Sequence, residues 1–198
     1  MTLPHYFLIF IWTVYYIFHS IFASLSVKNI FQKSFPKANR YYRLCYSILA
    51  AAGLILILIF QYSFDSPVFF HSILAKYLAV IFLVIPGSLV MIVSLKKYFL
   101  LLSGVRSVFQ SVPSVELKVE GIHRLVRHPL YSGTILWVWG LFFLFPMINN
   151  LIAVVLLTLY VIIGIRFEEK KLLKQFGSAY SNYASSVPML IPRLIFKK

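Results

Sequence analysis

Acidic residues are scarce in this chain: Asp65, Glu116, Glu120, Glu168 and Glu169 stand against 19 lysines and arginines in 198 residues. A cationic ligand therefore finds counter-charges in very few places. Charged residues of both signs make up 12% of the sequence, about half of what a soluble domain carries, and this excludes an ordinary water-soluble globule. Cysteine is nearly absent. Cys45 stands alone, which excludes an intrachain disulfide and leaves no cysteine pair at metal-binding spacing, so its expected role is that of a small apolar filler. In-span histidine is also sparse. His19 is the ionisable residue read near a span's core, while His71 falls in a charge-poor loop, and haem ligation by a histidine pair is discounted. No internal repeat and no low-complexity linker breaks the chain.

Hydrophobic residues supply 61% of the sequence, and the mean hydropathy is +0.87. Lipid is the expected solvent for most of it. Apolar runs at 4–27, 44–62 and 73–95 each match a bilayer crossing, and a continuous run from Thr134 to Ile165 is too long for one. Pro146, Asn149 and Asn150 place turn chemistry in its middle, so the run reads as a helical hairpin, 134–147 and 150–165, of short or tilted spans. The expected fold is an all-α membrane protein of about five transmembrane helices in a single domain covering 1–198. The first run carries no lysine or arginine before Lys28 and reads as a retained spanning helix, not a cleaved signal.

All basic residues but Lys76 fall between spans one and two, between three and four, or after Ile165. By the positive-inside rule these segments face the cytoplasm, with the N-terminus outside and the C-terminus inside. The charge excess of +14 thus reports topology and anionic headgroups, and argues against a nucleic-acid partner.

The unusual residues sit in two of these basic segments. Glu120 to Gly133 runs directly into span four; Pro129 holds His128 away from helical backbone, and Gly121 and Gly133 permit close approach of a ligand. Arg166-Phe167-Glu168-Glu169 ends span five, and the hairpin returns it to the membrane face of His128. S-adenosylmethionine carries a sulfonium, an ammonium, a carboxylate and an aromatic base, and such a segment pair offers acids, bases and aromatic walls for it. The same residues also suit interfacial ion pairs and lipid phosphates. Beyond them Leu173, Phe176, Tyr180, Tyr183 and Val187 form one apolar stripe, expected to face the membrane on a C-terminal amphipathic interfacial helix that serves as an anchor or a lid. Trp12, Tyr15, Tyr16, His19, Ser20 and Ala23 share a face of span one that suits either an access route for an amphipathic acceptor or an interhelical hydrogen bond.

Arg127-His128-Pro129-Leu130-Tyr131-Ser132-Gly133, a hydrophobic hairpin, Glu168-Glu169 with Leu172, Phe176-Gly177, Tyr180, Tyr183 and Val187-Pro188 together resemble the isoprenylcysteine carboxyl methyltransferase-like family of membrane methyltransferases. Phospholipid N-methyltransferases and methanethiol S-methyltransferases look similar in the same region. The resemblance covers roughly 115–193; the part before it matches weakly, best to the thiol-methylating group through His19-Ser20 and Val27-Lys28. It implies S-adenosylmethionine as cofactor, with His128, Pro129, Tyr131 and Gly133 contacting it, Glu168 or Glu169 on its charged or ribose groups, and Arg166 near the acceptor. It also accounts for the missing glycine-rich strand-turn-helix motif of soluble methyltransferases. The implied partners are the bilayer and a lipophilic or small thiol acceptor. A thiolate or carboxylate needs no strong base, whereas an amine headgroup needs one, for which Glu169 or His128 stands in reach. Two other readings remain: an NADPH-dependent membrane sterol reductase, disfavoured by Leu130 and Thr134 where those enzymes carry Asn and an acid, and a non-catalytic protein that keeps the fold.

Overall fold

The computed structural model describes residues 1–102, 117 and 119–193; Arg106, Glu116, Lys118 and the basic tail from 194 lie outside the described residues. Among the described residues the secondary structure is helical, without a strand. The helices are α1 (Leu3–Ala23), α2 (Leu25–Ser34), α3 (Asn39–Gln61), α4 (Ile73–Ala79), α5 (Ile85–Leu102), α6 (Pro129–Leu144), α7 (Ile148–Phe176) and α8 (Ser178–Ser186), with a π-helical stretch Val80–Val84 joining α4 to α5 and a 3₁₀ turn at Gly121–Arg124. Leu3–Ala23, Asn39–Gln61, Ile73–Lys96 and Ile148–Phe176 are long and apolar enough to cross a membrane. Helix α6, with 16 residues, reaches about 24 Å at 1.5 Å per residue, short of a hydrocarbon core of about 30 Å. Large apolar side chains such as Leu3, Leu49 and Ile73 are exposed, the surface expected where lipid takes the place of water.

Three boundaries differ from the sequence reading. The first run divides at Ser24, whose Oγ accepts from the Val27 amide at 3.3 Å and so caps α2; Val27 and Lys28 begin that amphipathic helix and do not end the first span. The hairpin turn falls at Phe145–Met147, and Asn149 and Asn150 lie inside the first turn of α7, buried. Helix α7 then runs without interruption through Glu168 and Glu169 to Phe176. Gly177 ends it with φ +55°, a left-handed value open to glycine, and only the short α8 follows.

The chain forms two compact units. Of the described residues, the first joins Met1–Phe70 with Pro146–Leu156 and residues 98–102. Here Thr2 and His5 make a capping pair in which histidine takes the place usual for glutamate: the Thr2 amide donates to His5 Nδ1 at 3.1 Å. That leaves Nε2 protonated, and it lies 3.1 Å from Ser66 Oγ. Ser66 Oγ also accepts from the Asn149 amide at 3.0 Å. Trp12 Nε1 donates to Gln61 Oε1 (3.1 Å) and Gln61 Nε2 donates to Asn150 Oδ1 (2.9 Å). Burying such groups is tolerable because each finds a partner, and the network fixes the ends of α1, α3 and α7 together.

The second unit joins His71–Lys97, Val115–Phe145 and Leu157–Lys198. Glycines set its packing. A Cβ on Gly87 would fall 2.8 Å from the Trp137 amide, on Gly133 2.9 Å from the Gly87 carbonyl, and on Gly140 2.6 Å from Val84 Cγ2. Gly133 and Gly140, seven residues apart on one side of α6, thereby let α6 lie against the π-helical stretch and α5 at backbone contact distance, as small residues do between helices in lipid.

Candidate functional site

Helices α6 and α7 run antiparallel, as the pairing of Trp139 Nε1 with Thr158 Oγ1 (3.2 Å) and of Tyr131 with Glu168 shows. Pro129 occupies the first turn of α6, where its missing amide costs nothing, and His128 precedes it as the N-cap in a non-helical conformation. At the other side α7 presents Glu168 and Glu169. Successive helical residues differ by about 100° in direction, so the two carboxylates meet different neighbours.

Glu169 Oε1 accepts from Arg127 Nε at 2.7 Å, and His128 Nε2 lies 3.1 Å from the same oxygen. Arg127 is 12% exposed and Glu169 21%, so the pair sits in a partly dry setting where charge-assisted bonds are strong. Arg127 Nη1 also donates to the carbonyls of Ala184 (2.8 Å) and Val187 (2.6 Å). Glu168 is different. Its Oε2 accepts from the Tyr131 hydroxyl at 2.9 Å, and among the described residues no cation lies within ion-pair distance of it. The Tyr131 ring stacks on His128, with centroids 5.7 Å apart.

The tail is stitched to this cluster through its backbone. The Arg127 amide donates to Pro188 O (2.9 Å), the His128 amide to Met189 O (3.1 Å), and Ser132 Oγ to Leu190 O (2.7 Å). Tyr183 donates to His123 O at 2.7 Å. Tyr180, Tyr183 and Val187 are buried together against Leu117, Val119, Leu172, Phe176 and Ala184. This corrects the expectation of a membrane-facing stripe: its aromatic members turn inward and clamp the Glu120–Gly133 segment. The Tyr180 hydroxyl is buried without a hydrogen-bond partner among the described residues. Burial, reinforced by the nearby Glu169 carboxylate, pushes its phenol up, so it stays a protonated donor.

The structure brings His128, Pro129, Tyr131, Glu168 and Glu169 together. Beside Gly133 the space that a Cβ would take is filled by Gly87 and Met91, so close helix packing calls for glycine there. Gly121 has φ +57° with open space beside a would-be Cβ, so the backbone shape by itself calls for glycine. Arg166 is exposed on α7, three residues before Glu169, a spacing that sets the two on one side of the helix, and among the described residues it makes no ion pair with the cluster. Arg127, Ser132 and Tyr180 were not singled out as site residues. Arg127 carries a signal, being the one cation directly before the His-Pro pair; Ser132 and Tyr180 carry none beyond the motif.

Comparison with known proteins places this geometry. Over residues 48–179 the chain matches the family model described as phospholipid methyltransferase. It is 31% identical over 104 residues to methanethiol S-methyltransferase 2 of Bradyrhizobium diazoefficiens, covering 49% of this chain and 39% of that one. It is 36% identical over 75 residues to methanethiol S-methyltransferase of Pseudomonas deceptionensis (37% and 27% covered), and 33% identical over 78 residues to protein-S-isoprenylcysteine O-methyltransferase B of Arabidopsis thaliana (39% and 40% covered). These matches span at most about two fifths of the relatives' own lengths. No solved structure matches the chain significantly. With its hairpin, its paired carboxylates and a family match over about two thirds of its length, the chain belongs to the phospholipid methyltransferase family of membrane methyltransferases.

Proposed function

We propose that this protein transfers a methyl group from S-adenosylmethionine to a thiol, carboxylate or amine acceptor held at or in the bilayer, with the site and C-terminus cytoplasmic and the N-terminus outside. The observation that carries the reading is the unequal pair of carboxylates: Glu169 is bonded by Arg127 and His128, while among the described residues Glu168 is bonded by the Tyr131 phenol and by no cation. The residues fit a cationic cofactor. Glu168, bonded to the Tyr131 hydroxyl, offers a carboxylate to an ammonium or sulfonium, and the stacked His128 and Tyr131 rings offer a wall for a planar base. When bound, the sulfonium supplies a methyl carbon that an acceptor lone pair captures in line as the C–S bond breaks and its electron pair leaves with the thioether.

The chain's part is to position and to exclude water. Glu169 holds Arg127 and His128 in place, Pro129 sets the direction of α6, and Gly133 keeps α6 close against its neighbour. For an amine acceptor, His128 is the group placed to take the departing proton, because Glu169 is already engaged by Arg127; a thiolate or carboxylate needs no such step. Arg166, exposed at the edge of α7, is the cation available to an anionic acceptor. Calorimetry of the detergent-purified protein tests this directly: S-adenosylmethionine binds, Glu168→Gln weakens it tenfold or more, and NADPH gives no heat. Undiminished affinity in Glu168→Gln, or binding of NADPH in place of the methyl donor, overturns the proposal. Turnover with methanethiol, a prenylcysteine and phosphatidylethanolamine then identifies the acceptor.

A further inference from the structure

The first unit contains a cleft of about 450 Å³ bounded by α1, α2 and α3, with Tyr15, His19, Phe31, Tyr42, Cys45 and Gly53 in its walls. The volume falls within the range of small-molecule sites, roughly 300–1,000 Å³. Its walls are nearly all carbon. Where polar groups are present they are turned into the protein: Tyr15 donates to Ala50 O (3.1 Å), Tyr42 to Phe22 O (2.7 Å) and Tyr46 to His19 O (3.2 Å). The His19 ring is flanked by Tyr15 and Tyr46, with centroids 5.9 and 5.4 Å away. Water needs two to four polar partners to stay in such a space, and this lining does not supply them. Small residues, Ala38, Ala50 and Gly53, keep the cleft open; a Cβ on Gly53 would meet the Tyr15 ring at 3.3 Å.

Charge in the segment that supplies the walls from Val27 to Tyr42 is of a single sign. Lys28, Lys33, Lys37, Arg40 and Arg43 lie within sixteen residues, and no acidic residue precedes Asp65. Lys37, Arg40 and Arg43 neighbour the wall residues Ala38, Tyr41 and Tyr42 in sequence, and the Arg40 guanidinium carbon sits 4.6 Å over the Tyr41 ring, a cation–π contact that holds a cation beside the apolar space. An apolar slot next to a cluster of cations, in a chain whose solvent is lipid, complements an amphiphile with one hydrocarbon chain in the slot and a negative headgroup on the cations.

We propose that this cleft binds one hydrocarbon chain of an anionic membrane lipid, with Lys37, Arg40 and Arg43 receiving its phosphate. The proposal concerns a site apart from the methyl-transfer cluster and does not rest on that reading. Cys45, the only cysteine of the chain, lines the cleft and reports its occupancy without any engineered label. In maltoside micelles, N-ethylmaleimide modifies Cys45, and adding phosphatidylglycerol slows the modification at least fivefold. Glycerol phosphate, which carries the headgroup charge without a chain, leaves the rate unchanged. Native mass spectrometry from nanodiscs of equal phosphatidylcholine and phosphatidylglycerol, with matched chains, finds phosphatidylglycerol retained tenfold over phosphatidylcholine. Ala50→Phe, which fills the slot, abolishes both the retention and the protection, and Lys37→Gln with Arg40→Gln equalises the two lipids. Equal retention of both lipids by the wild-type protein, a Cys45 rate indifferent to phosphatidylglycerol, or protection by glycerol phosphate alone overturns the proposal. The wild-type labelling arm requires no variant to fold.

Discussion

Arg127 ties three parts of the second unit together, and Arg127→Met measures how much. The change keeps most of the side chain's length and apolar stem but removes the bond to Glu169 Oε1 at 2.7 Å and those to Ala184 O and Val187 O. Bonds to a charged group contribute about 1.5–3 kcal/mol each. They do not add, because Glu169 relaxes toward His128 once Arg127 is gone. Removing one partner of a partly buried pair leaves the other charge desolvated, a loss of about 3–5 kcal/mol when burial is complete. With Glu169 still 21% exposed, the lower part of that range, about 3 kcal/mol, is the expected outcome. The backbone bonds from 127 and 128 to 188 and 189 survive the substitution, so the loss appears first as local opening of α8 and the tail. Hydrogen exchange by mass spectrometry on the purified protein reads it: amides of 178–190 exchange roughly a hundredfold faster, while those of α3 are unchanged. Arg127→Lys, with a charge but no fork, falls between. If exchange over 178–190 in Arg127→Met matches the wild type, the clamp assigned to this side chain is wrong.

Three further outcomes follow from the geometry. Gly140→Leu places side-chain atoms where Val84 Cγ2 already stands, and thermal unfolding in detergent shows a destabilisation of about 1–3 kcal/mol or more from overpacking; an unchanged transition would mean that α6 does not lie against the π-helical stretch. Tyr183→Phe removes only the hydroxyl that donates to His123 O and lowers stability by about 1 kcal/mol, whereas Tyr183→Ala loses several times more; a Tyr183→Phe protein as stable as the wild type would deny the hydrogen bond any part. In a Cys45→Ala background, Phe145→Cys, at an exposed position in the turn before α7, reacts with an impermeant maleimide added from outside; protection there argues against the hairpin as two crossings. Asn149, at 1% exposure, is no place for such a label.

Much of this molecule can be read from its sequence because lipid imposes simple rules. Helices must satisfy their own backbone, so span-length apolar runs locate α1, α3, the α4–α5 rod and α7, and Pro146 in an overlong run locates the hairpin. Antiparallel return then brings residues near 128 to residues near 169 by counting alone. What the sequence leaves dark are contacts made by backbone. The carbonyls of Pro188 and Met189 receive the amides of Arg127 and His128, and no side-chain pattern announces such a pairing. The stripe through Tyr180 and Tyr183 is equally ambiguous, since its spacing suits a lipid surface and a protein surface alike. Gly177 decides between them by turning the chain at φ +55°. His5 escaped notice for a related reason: its role as an N3 capping partner becomes visible only once the helix start at Leu3 is known.

The two adjacent carboxylates show how local geometry divides a task between like residues. On a straight helix, neighbours about 100° apart cannot both face Arg127, and the one that does, Glu169, is drawn into a structural pair whose charge is cancelled. Glu168 is turned toward Tyr131, a neutral donor that orients the carboxylate without neutralising it. A pair of acids surrounded by cations would attract anions as readily as cations; a pair in which one acid absorbs the nearby positive charge leaves the other as a net negative point beside the stacked His128 and Tyr131 rings. In a chain with five acidic residues against 19 basic ones, that arrangement sets a carboxylate without an ion pair among the described residues on the helix that also carries Arg166, Lys170 and Lys171. On the reading proposed above, it is this separation of jobs, more than the presence of two glutamates, that fits the cluster to a ligand bearing positive charge.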